Sequence, residues 1–341
     1  MLKFSNCFVT DCRQFGFKKR SGCSDAIYAA RSVVENYIHG GSSVNILALD
    51  ISKAFDKVNH FALLTKLLRR NAPLALVKLM ANWLPFCVTC VKWSGMYSSP
   101  FALKVGVRQG SVLAPILFAV YVDDIIALCV KGQLGEIILY ADDILLLSRS
   151  VWHLQLLFNI IENALADLDL QLNCTKFCGI RVGKRRHSDN CANICNRDGV
   201  AIKWQQEMRY LGIHFLSANV FKCSFSIAKR RFCSAANAVF SKVCLHVNED
   251  VTLHLLKTKC LPLLLYGTEA CMVAKRDLQS LDFVVTRFLM KLFQSTNRTF
   301  IEECMYYFGF VLPSELIKLR QERFVKRCAQ CDTALIKLYN Y

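Results

Sequence analysis

Apolar and polar positions alternate along the chain in two regimes that meet near residue 220. Before it, short apolar runs are interleaved with helical stretches. Residues 24–38, 60–70, 73–83 and 151–168 repeat apolar side chains at helical spacing, with Pro73 suited to a first turn. Residues 44–49 form a short apolar run that reads as a buried strand ending at Asp50. Residues 88–93 and 101–105 read as strands around a turn at Ser94-Gly95, and 136–148 as two strand pieces joined at Ala141-Asp142-Asp143. Further strands are expected near 177–182 and over 210–215, with a polar, basic loop over 183–199. Ser111 is placed to cap a long helix reaching about residue 130, with Pro115 close to its start, where proline is tolerated. Beyond about residue 222 only helical periodicity remains, over 225–245, 250–266, 276–294 and 314–330. The predicted boundary therefore lies at 216–222.

The 341 residues exceed one average domain, and 54% of them are apolar, enough for a large core. A mean hydropathy of +0.29 is high for a free-standing chain and points to apolar surface that expects a partner. The formal net charge of +17 points to an anionic partner, most simply nucleic acid. The N-terminus has no apolar leader, so the 18 cysteines read as reduced, intracellular thiols. Cys87/Cys90 and Cys328/Cys331 have the C-x-x-C spacing, but each lacks a second ligand pair at zinc-finger distance; the later pair could open an incomplete zinc module. Residues 112–130 are apolar but carry Asp123 and Asp124, so no membrane-spanning helix is expected.

Asp50, Asp142 and Asp143 each end an apolar strand, where a carboxylate is costly unless solvated, paired or bound to metal. One strand-end aspartate plus an aspartate pair in a hairpin turn would meet the needs of Mg²⁺-assisted phosphoryl transfer. Spacing alone leaves a plain polar turn equally open. Tyr121-Val122-Asp123-Asp124 repeats the Tyr-x-Asp-Asp pattern of Tyr140-Ala141-Asp142-Asp143. The first lies in a helical context, where adjacent side chains diverge by about 100°. The second is flanked by Ile137-Ile138-Leu139 and Ile144-Leu145-Leu146-Leu147, which suit two strands and a turn that aims both carboxylates at one point.

The run Ala48-Leu49-Asp50-Ile51-Ser52-Lys53-Ala54-Phe55-Asp56-Lys57-Val58 resembles the first palm block of LINE-type (non-LTR retrotransposon) reverse transcriptases. Gly106-Val107-Arg108-Gln109-Gly110-Ser111 and the seven residues after it resemble the second, and Tyr140-Ala141-Asp142-Asp143 the third. Asn173-Cys174-Thr175-Lys176 resembles the fourth, Tyr210-Leu211-Gly212-Ile213 the primer grip, and Gln14-Phe15-Gly16-Phe17 with the four residues after it a fingers block. Leu261-Pro262 and Leu265-Tyr266-Gly267 are similar to the family's thumb.

The resemblance implies an α+β fold: a right-hand polymerase palm with an antiparallel sheet, partial fingers and a helical thumb. It places partial fingers at 1–43, the palm at 44–220 with a finger-like insertion at about 60–105, and the thumb with a C-terminal extension at 221–341. It implies RNA-directed DNA polymerase activity on an RNA template and DNA primer with deoxynucleoside triphosphates, using two Mg²⁺ ions, with Mn²⁺ as a substitute. Asp50, Asp142 and Asp143 would hold the metals, helped by the Ile51 carbonyl. Phe55 would lie beneath the sugar and exclude a 2′-OH, or else simply pack in the core. Arg108, Gln109 and Gly110 would line the nucleotide pocket. Ser111 would touch nucleic acid or only cap its helix. Lys176 would lie near the triphosphate as a proton donor, or be one more surface lysine.

Lys18-Lys19-Arg20, Lys184-Arg185-Arg186 and Lys229-Arg230-Arg231 are basic clusters that together favour phosphate contact, although each alone is an ordinary solvated face. The family's upstream fingers strands and an endonuclease region are expected to be missing, leaving activity impaired. A catalytically impaired nucleic-acid-binding remnant of such an element is the alternative reading. A palm polymerase with another nucleotide choice is a further one, against which the bulk of Phe55 counts.

Overall fold

The structure, a computed structural model, describes residues 6–128, 134–184, 192–243 and 248–330. They divide into two compact units, one ending at Met208 and one beginning at Arg209, ahead of the 216–222 boundary read from periodicity. The fold is α+β.

The first unit is built on a five-stranded sheet. Its strands are β1 (Val44–Ser52), β6 (Glu136–Tyr140), β7 (Asp143–Ser148), β8 (Gln171–Leu172) and β9 (Cys178–Val182). Four run in the order β6-β7-β1-β8, and β9 also pairs with β1. Every pairing is antiparallel. Alternation along the strands puts Leu47, Leu49 and Ile51 on one face with Ile144, Leu146, Ile137 and Leu139. That face packs on α4 (Ala114–Val122) and α6 (Val151–Asp167) through Phe118, Tyr121, Leu157, Phe158 and Ile161. The opposite face, with Ile46, Ile138, Leu145 and Leu147, is also buried, and helix α1 (Cys23–His39) packs on the sheet. Leu146 is fully enclosed between Leu47 and Ile137. Leu146→Ala is expected to cost ~2–5 kcal/mol, read as a lowered denaturant midpoint at unchanged slope.

Residues 60–112 form a separate excursion. Helices α2 (His60–Arg69) and α3 (Leu74–Trp83) lead into a short ribbon, in which β2 (Val88–Thr89) pairs with β5 (Phe101–Ala102) and β3 (Lys92–Trp93) with β4 (Met96–Tyr97). Ser94 and Gly95, with φ of 45° and 84°, make the expected tight turn.

The helix expected over 111–130 is broken. It ends at Val122 and resumes as α5 (Asp124–Leu128). Asp123 is drawn into an ion pair with Arg70 at 2.6 Å and accepts the Asp11 backbone N–H at 2.8 Å, while Asp124 pairs with Lys66 at 2.9 Å. The first Tyr-x-Asp-Asp is thereby a structural clamp. The segment 183–199 is not all loop: β10 (Ile194–Cys195) and β11 (Ala201–Ile202) form a hairpin pinned to α6 by Gln155, which bonds both the N–H and the carbonyl of Cys195 at 2.8 Å.

The second unit opens at the sheet β12 (Glu207–Tyr210), β13 (Ile213–Leu216) and β14 (Cys223–Ser224). The single strand expected over 210–215 is two strands, because Leu211 and Gly212 take φ of 44° and 84° and turn the chain back. Helices α7 (Ser226–Val243), α10 (Lys275–Leu292) and α12 (Pro313–Ala329) match the periodicity. The expected helix 250–266 divides into α8 (Glu249–Leu255), a π-helical turn (Leu256–Cys260) and α9 (Leu261–Leu265), with Pro262 in the first turn of α9. Helix α11 (Arg298–Tyr307) was not anticipated, and only Ile301 is buried along it. No described helix is long and apolar enough to cross a membrane.

Candidate active site

Asp50 near the end of β1 and Asp143 at the start of β7 are direct partners across the antiparallel ladder. Paired positions share one face, with Cβ atoms about 4.5–5.5 Å apart. Since Leu49, Ile51 and Ile144 point into the core, Asp50 and Asp143 point out of the opposite face. Asp142 precedes Asp143 in a two-residue turn, and its carbonyl accepts the Ile51 N–H at 3.2 Å. All three aspartates are partly exposed.

That turn is held from an unexpected quarter. Ala141 has φ of 57°, an unfavourable left-handed conformation for a residue with a Cβ. The Gln14 Oε1 accepts the N–H of Ala141 at 3.3 Å and of Gly16 at 2.9 Å. Residues 13–15 are stitched to β6 by Phe15 N–H to Leu139 O at 2.8 Å and Leu139 N–H to Arg13 O at 3.0 Å. A Cβ on Gly16 would stand 2.4 Å from the Ala141 nitrogen. Gln14 and Gly16 were visible in the sequence only as part of a fingers-like block; nothing in their spacing announces contact with a turn so far along the chain.

A second support lies beside Asp50. The Asn173 N–H donates to the Asp50 carbonyl at 2.8 Å. Its Oδ1 accepts the Thr175 N–H at 3.3 Å, shaping a 3₁₀ turn (Cys174–Lys176) that presents Lys176. The exposed Lys176 Nζ stands 2.9 Å from Asp50 Oδ2. The hydrogen bond and charge of Asp50 raise its pKa, with Asp142 and Asp143 adding to the effect, so the ammonium stays charged. Burial pushes the Asp142 carboxyl up from its ordinary value; the Asp50 charge adds to this and Lys176 opposes it.

Among the described residues, no three His, Cys, Asp or Glu side chains form a ready metal cage. The donor set nonetheless fits a hard divalent cation. Asp50 and Asp143 are cross-strand partners with Asp142 in the adjoining turn, the Asp142 pKa is raised by burial and then by the Asp50 charge, and Lys176 supplies positive charge beside Asp50.

Phe55 is half-buried, its ring tilted by 32° against Phe118 at 4.8 Å and edge-on at 6.2 Å to Phe17. Its carbonyl accepts the Val107 N–H at 2.8 Å, which brings the second block against the first. Gly106, with φ of 87°, packs where a Cβ would meet the Asp56 carbonyl at 2.7 Å. Gln109 and Gly110 are exposed, and Arg108 donates to the Val88 carbonyl at 2.6 Å. The Ser111 Oγ accepts the Ala114 N–H at 3.1 Å, but the N-cap position of α4 is Leu113, so Ser111 supports the helix start from two residues before the cap it was expected to fill.

Of the basic clusters, Lys18 is spent on the Thr10 and Asp11 carbonyls, at 3.3 and 3.2 Å, and Lys229 on Ser280 at 2.8 Å. Lys19, Arg20, Lys184, Arg230 and Arg231 are exposed; Arg185, Arg186 and Cys331 lie outside the described residues. Within the second unit, the primer-grip-like and thumb-like motifs meet. A cavity of about 290 Å³ is lined by Gly212, His214, Arg231, Pro262 and Tyr266, and the Tyr266 hydroxyl donates to Leu211 O at 3.0 Å.

The family model for reverse transcriptase (RNA-dependent DNA polymerase) matches residues 6–215, which include every element of the aspartate site. The chain belongs to that family. Its relatives place it with the LINE-type, or non-LTR, reverse transcriptases. It is 27% identical over 228 residues to the Retrovirus-related Pol polyprotein from type-2 retrotransposable element R2DM of Drosophila melanogaster, an alignment covering 63% of this chain and 22% of that protein. It is also 27% identical over 210 residues to the RNA-directed DNA polymerase from mobile element jockey of the same organism, over 59% of this chain and 22% of that one. This reverse transcriptase chain thus spans under a quarter of the length of either relative. In fold it is similar to telomerase from Candida albicans, solved in complex with a TWJ fragment of telomeric RNA. The TM-score is 0.51 at 12% identity, over 88% of this chain and 54% of that one.

Proposed function

We propose that the chain is the polymerase core of a non-LTR retrotransposon, adding deoxynucleotides to a DNA primer 3′-OH along an RNA template. The observation that carries this reading is the convergence of Asp50, Asp142 and Asp143 on one sheet edge, with Lys176 held at 2.9 Å from Asp50. In this reading residues 1–43 are partial fingers, the five-stranded sheet is the palm, the second unit is the thumb, and the work is done in the nucleus or cytoplasm.

Asp50, Asp142 and Asp143, with the Ile51 carbonyl, would hold two Mg²⁺ ions, or Mn²⁺ in their place. Such a pair stabilises the attacking and leaving oxygens of an in-line displacement. The chain's own residues do the rest. The crowding of Asp142 against Asp50 makes an empty site electrostatically unfavourable and so favours cation capture. Lys176 keeps its proton at neutral pH and can hand it from Nζ to the departing pyrophosphate. Gln109 and Gly110 present exposed backbone and amide to the nucleotide, and Lys19, Arg20, Lys184, Arg230 and Arg231 offer charge to the phosphate backbone.

The test is extension of a labelled DNA primer on an RNA template with Mg²⁺ and deoxynucleotides. Template-directed products are expected. RNA binding without any extension would overturn the enzymatic reading in favour of a nucleic-acid-binding remnant.

Phe55 yields a sharper prediction. Its ring is fixed between Phe17 and Phe118, so it is a rigid wall. Phe55→Val should raise the kcat/KM ratio of ribonucleotide to deoxynucleotide about 10- to 100-fold. An unchanged ratio would leave Phe55 a packing residue only.

A further inference from the structure

The ribbon formed by β2 to β5 has aromatic side chains that none of the described residues covers. Trp93 is 78% exposed, Met96 72% and Tyr97 64%, and every residue from 90 to 102 is exposed. Trp93 pairs with Met96 and Lys92 with Tyr97 across the two-stranded tip. Alternation therefore gives the tip one face with an indole and a thioether, and another with a phenol and an ammonium. Lys92 Nζ lies 5.1 Å from the centre of the Tyr97 ring. A ribbon this short is marginal alone, and such exposed rings are a surface that expects an occupant.

The surrounding charge says what kind. Between Asp56 and Asp123 the sequence holds eight Lys and Arg and no Asp or Glu; Lys66 and Arg70 among them are paired with Asp124 and Asp123. Lys92 and Lys104 are exposed on the ribbon. An acid-free basic stretch that displays flat aromatic rings is complementary to an anion with π-faces along its length. That describes an unpaired nucleic-acid strand, whose bases stack on aromatics and whose phosphates attract ammonium groups. A duplex has its π-faces buried in its own stack and would leave the rings unused.

The ribbon is also not free to wander. Arg108 donates to the Val88 carbonyl at 2.6 Å, Leu103 N–H to Cys87 O at 2.9 Å, and Gly106 N–H to Val58 O at 2.8 Å. Its base is thus anchored to the segments that carry Phe55 and Gln109.

We infer that the β3–β4 tip is a stacking platform for an unpaired nucleic-acid strand that passes over it, with Trp93 taking a base on one face, Tyr97 a base on the other, and Lys92, beside Tyr97, a phosphate. Resting on the polymerase reading, the strand is the single-stranded template. The platform holds it through contacts that are indifferent to base identity.

The experiment uses the full chain and a fluorescent 12-nucleotide oligouridylate, with a blunt RNA–DNA duplex as comparison. Trp93→Ala and Tyr97→Ala should each weaken oligouridylate binding about 10-fold or more and leave duplex binding unchanged. Lys92→Gln should lower the slope of log affinity against log salt by about one. None of these side chains is buried, so melting temperatures should match the parent. In primer extension, Trp93→Ala should keep activity on a one-nucleotide template overhang and lose product length on a long one.

Unchanged oligouridylate affinity in both aromatic variants would overturn the platform. So would a parent chain that sediments as a dimer and becomes monomeric on Trp93→Ala with RNA affinity intact, since the rings would then serve self-association. If the parent binds oligouridylate through Trp93 but extends no primer, the platform stands and the polymerase reading fails.

Discussion

Asp142→Asn should reduce primer extension by about 10³-fold or more while leaving RNA affinity within about two-fold of the parent. The side chain sits in the turn between β6 and β7, beside Asp50 and within the field of Lys176. Loss of its charge removes one of three carboxylates that can hold a divalent cation, an interaction worth several kcal/mol to a phosphoryl-transfer transition state, where each ~1.4 kcal/mol is a factor of ten in rate. The same substitution should make the chain more stable at neutral pH when divalent cations are chelated. Burial, then Asp50, raises the folded-state pKa of Asp142 above its ordinary 3.8. A carboxyl with a raised folded pKa favours folding in its protonated form. The stability so provided is complete below 3.8 and is lost as pH rises through the folded value. At pH 7 the parent therefore carries an ionised, crowded carboxylate that asparagine lacks. Each kcal/mol recovered should appear as about 2–4 °C in melting temperature, and the difference should vanish in acid. Added Mg²⁺ should raise the melting temperature of the parent and not that of the variant, because only a ligand that binds the folded state stabilises it. An Asp142→Asn protein that extends primers at the parent rate would remove the aspartates from the chemistry.

The aspartate cluster was legible because it is written locally. Two apolar runs of strand length around Ala141-Asp142-Asp143 leave little choice but a hairpin, and the apolar run 44–49 gives way to Asp50, a partly exposed carboxylate that takes Lys176 as its partner, although the strand itself continues to Ser52. The same local logic set aside Asp123 and Asp124, and the structure uses both in ion pairs with Arg70 and Lys66. What was lost needed information from elsewhere in the chain or from single backbone angles. The helix break at Asp123 depends on cations and an N–H supplied from residues 11 and 70. The Leu211-Gly212 turn lies inside an apolar run and shows only in positive φ at both residues. Lys176 was singled out only through the resemblance of its block; its local sequence does not mark it, and its place beside Asp50 shows only once Asn173 bonds the Asp50 carbonyl. At the exposed ribbon tip Lys92–Trp93 and the Ser94-Gly95 turn were read correctly but the strand Met96–Tyr97 was missed, and periodicity cannot tell an apolar residue that faces a core from one that faces solvent.

Gly16→Ala should impair catalysis from outside the aspartate set. The new Cβ would stand 2.4 Å from the Ala141 nitrogen and 3.1 Å from the Tyr140 carbonyl carbon, both backbone atoms with no rotamer to escape into. One side must yield. The Gly16 loop is fixed by two backbone hydrogen bonds to Leu139 and by the buried Gln14 side chain, which bonds Gly16 and Ala141 together. The turn opposite is already held at an unfavourable φ of 57° at Ala141, so it has little stability in reserve. The displacement should therefore fall on the turn that aims Asp142. Overpacking of this kind costs ~1–3 kcal/mol, visible as a lower melting temperature. A shift of about 1 Å at a catalytic group costs about 10²-fold in rate. The deficit should appear in kcat, with the KM for deoxynucleotides and the affinity for template–primer nearly unchanged, because Gln109, Gly110 and the basic surfaces are untouched. Gln14→Ala should reproduce the kcat defect by a different route, leaving the buried N–H groups of Ala141 and Gly16 without their acceptor. If Gly16→Ala lowers the melting temperature and kcat stays at the parent value, the loop supports the fold but does not set the geometry of the aspartates.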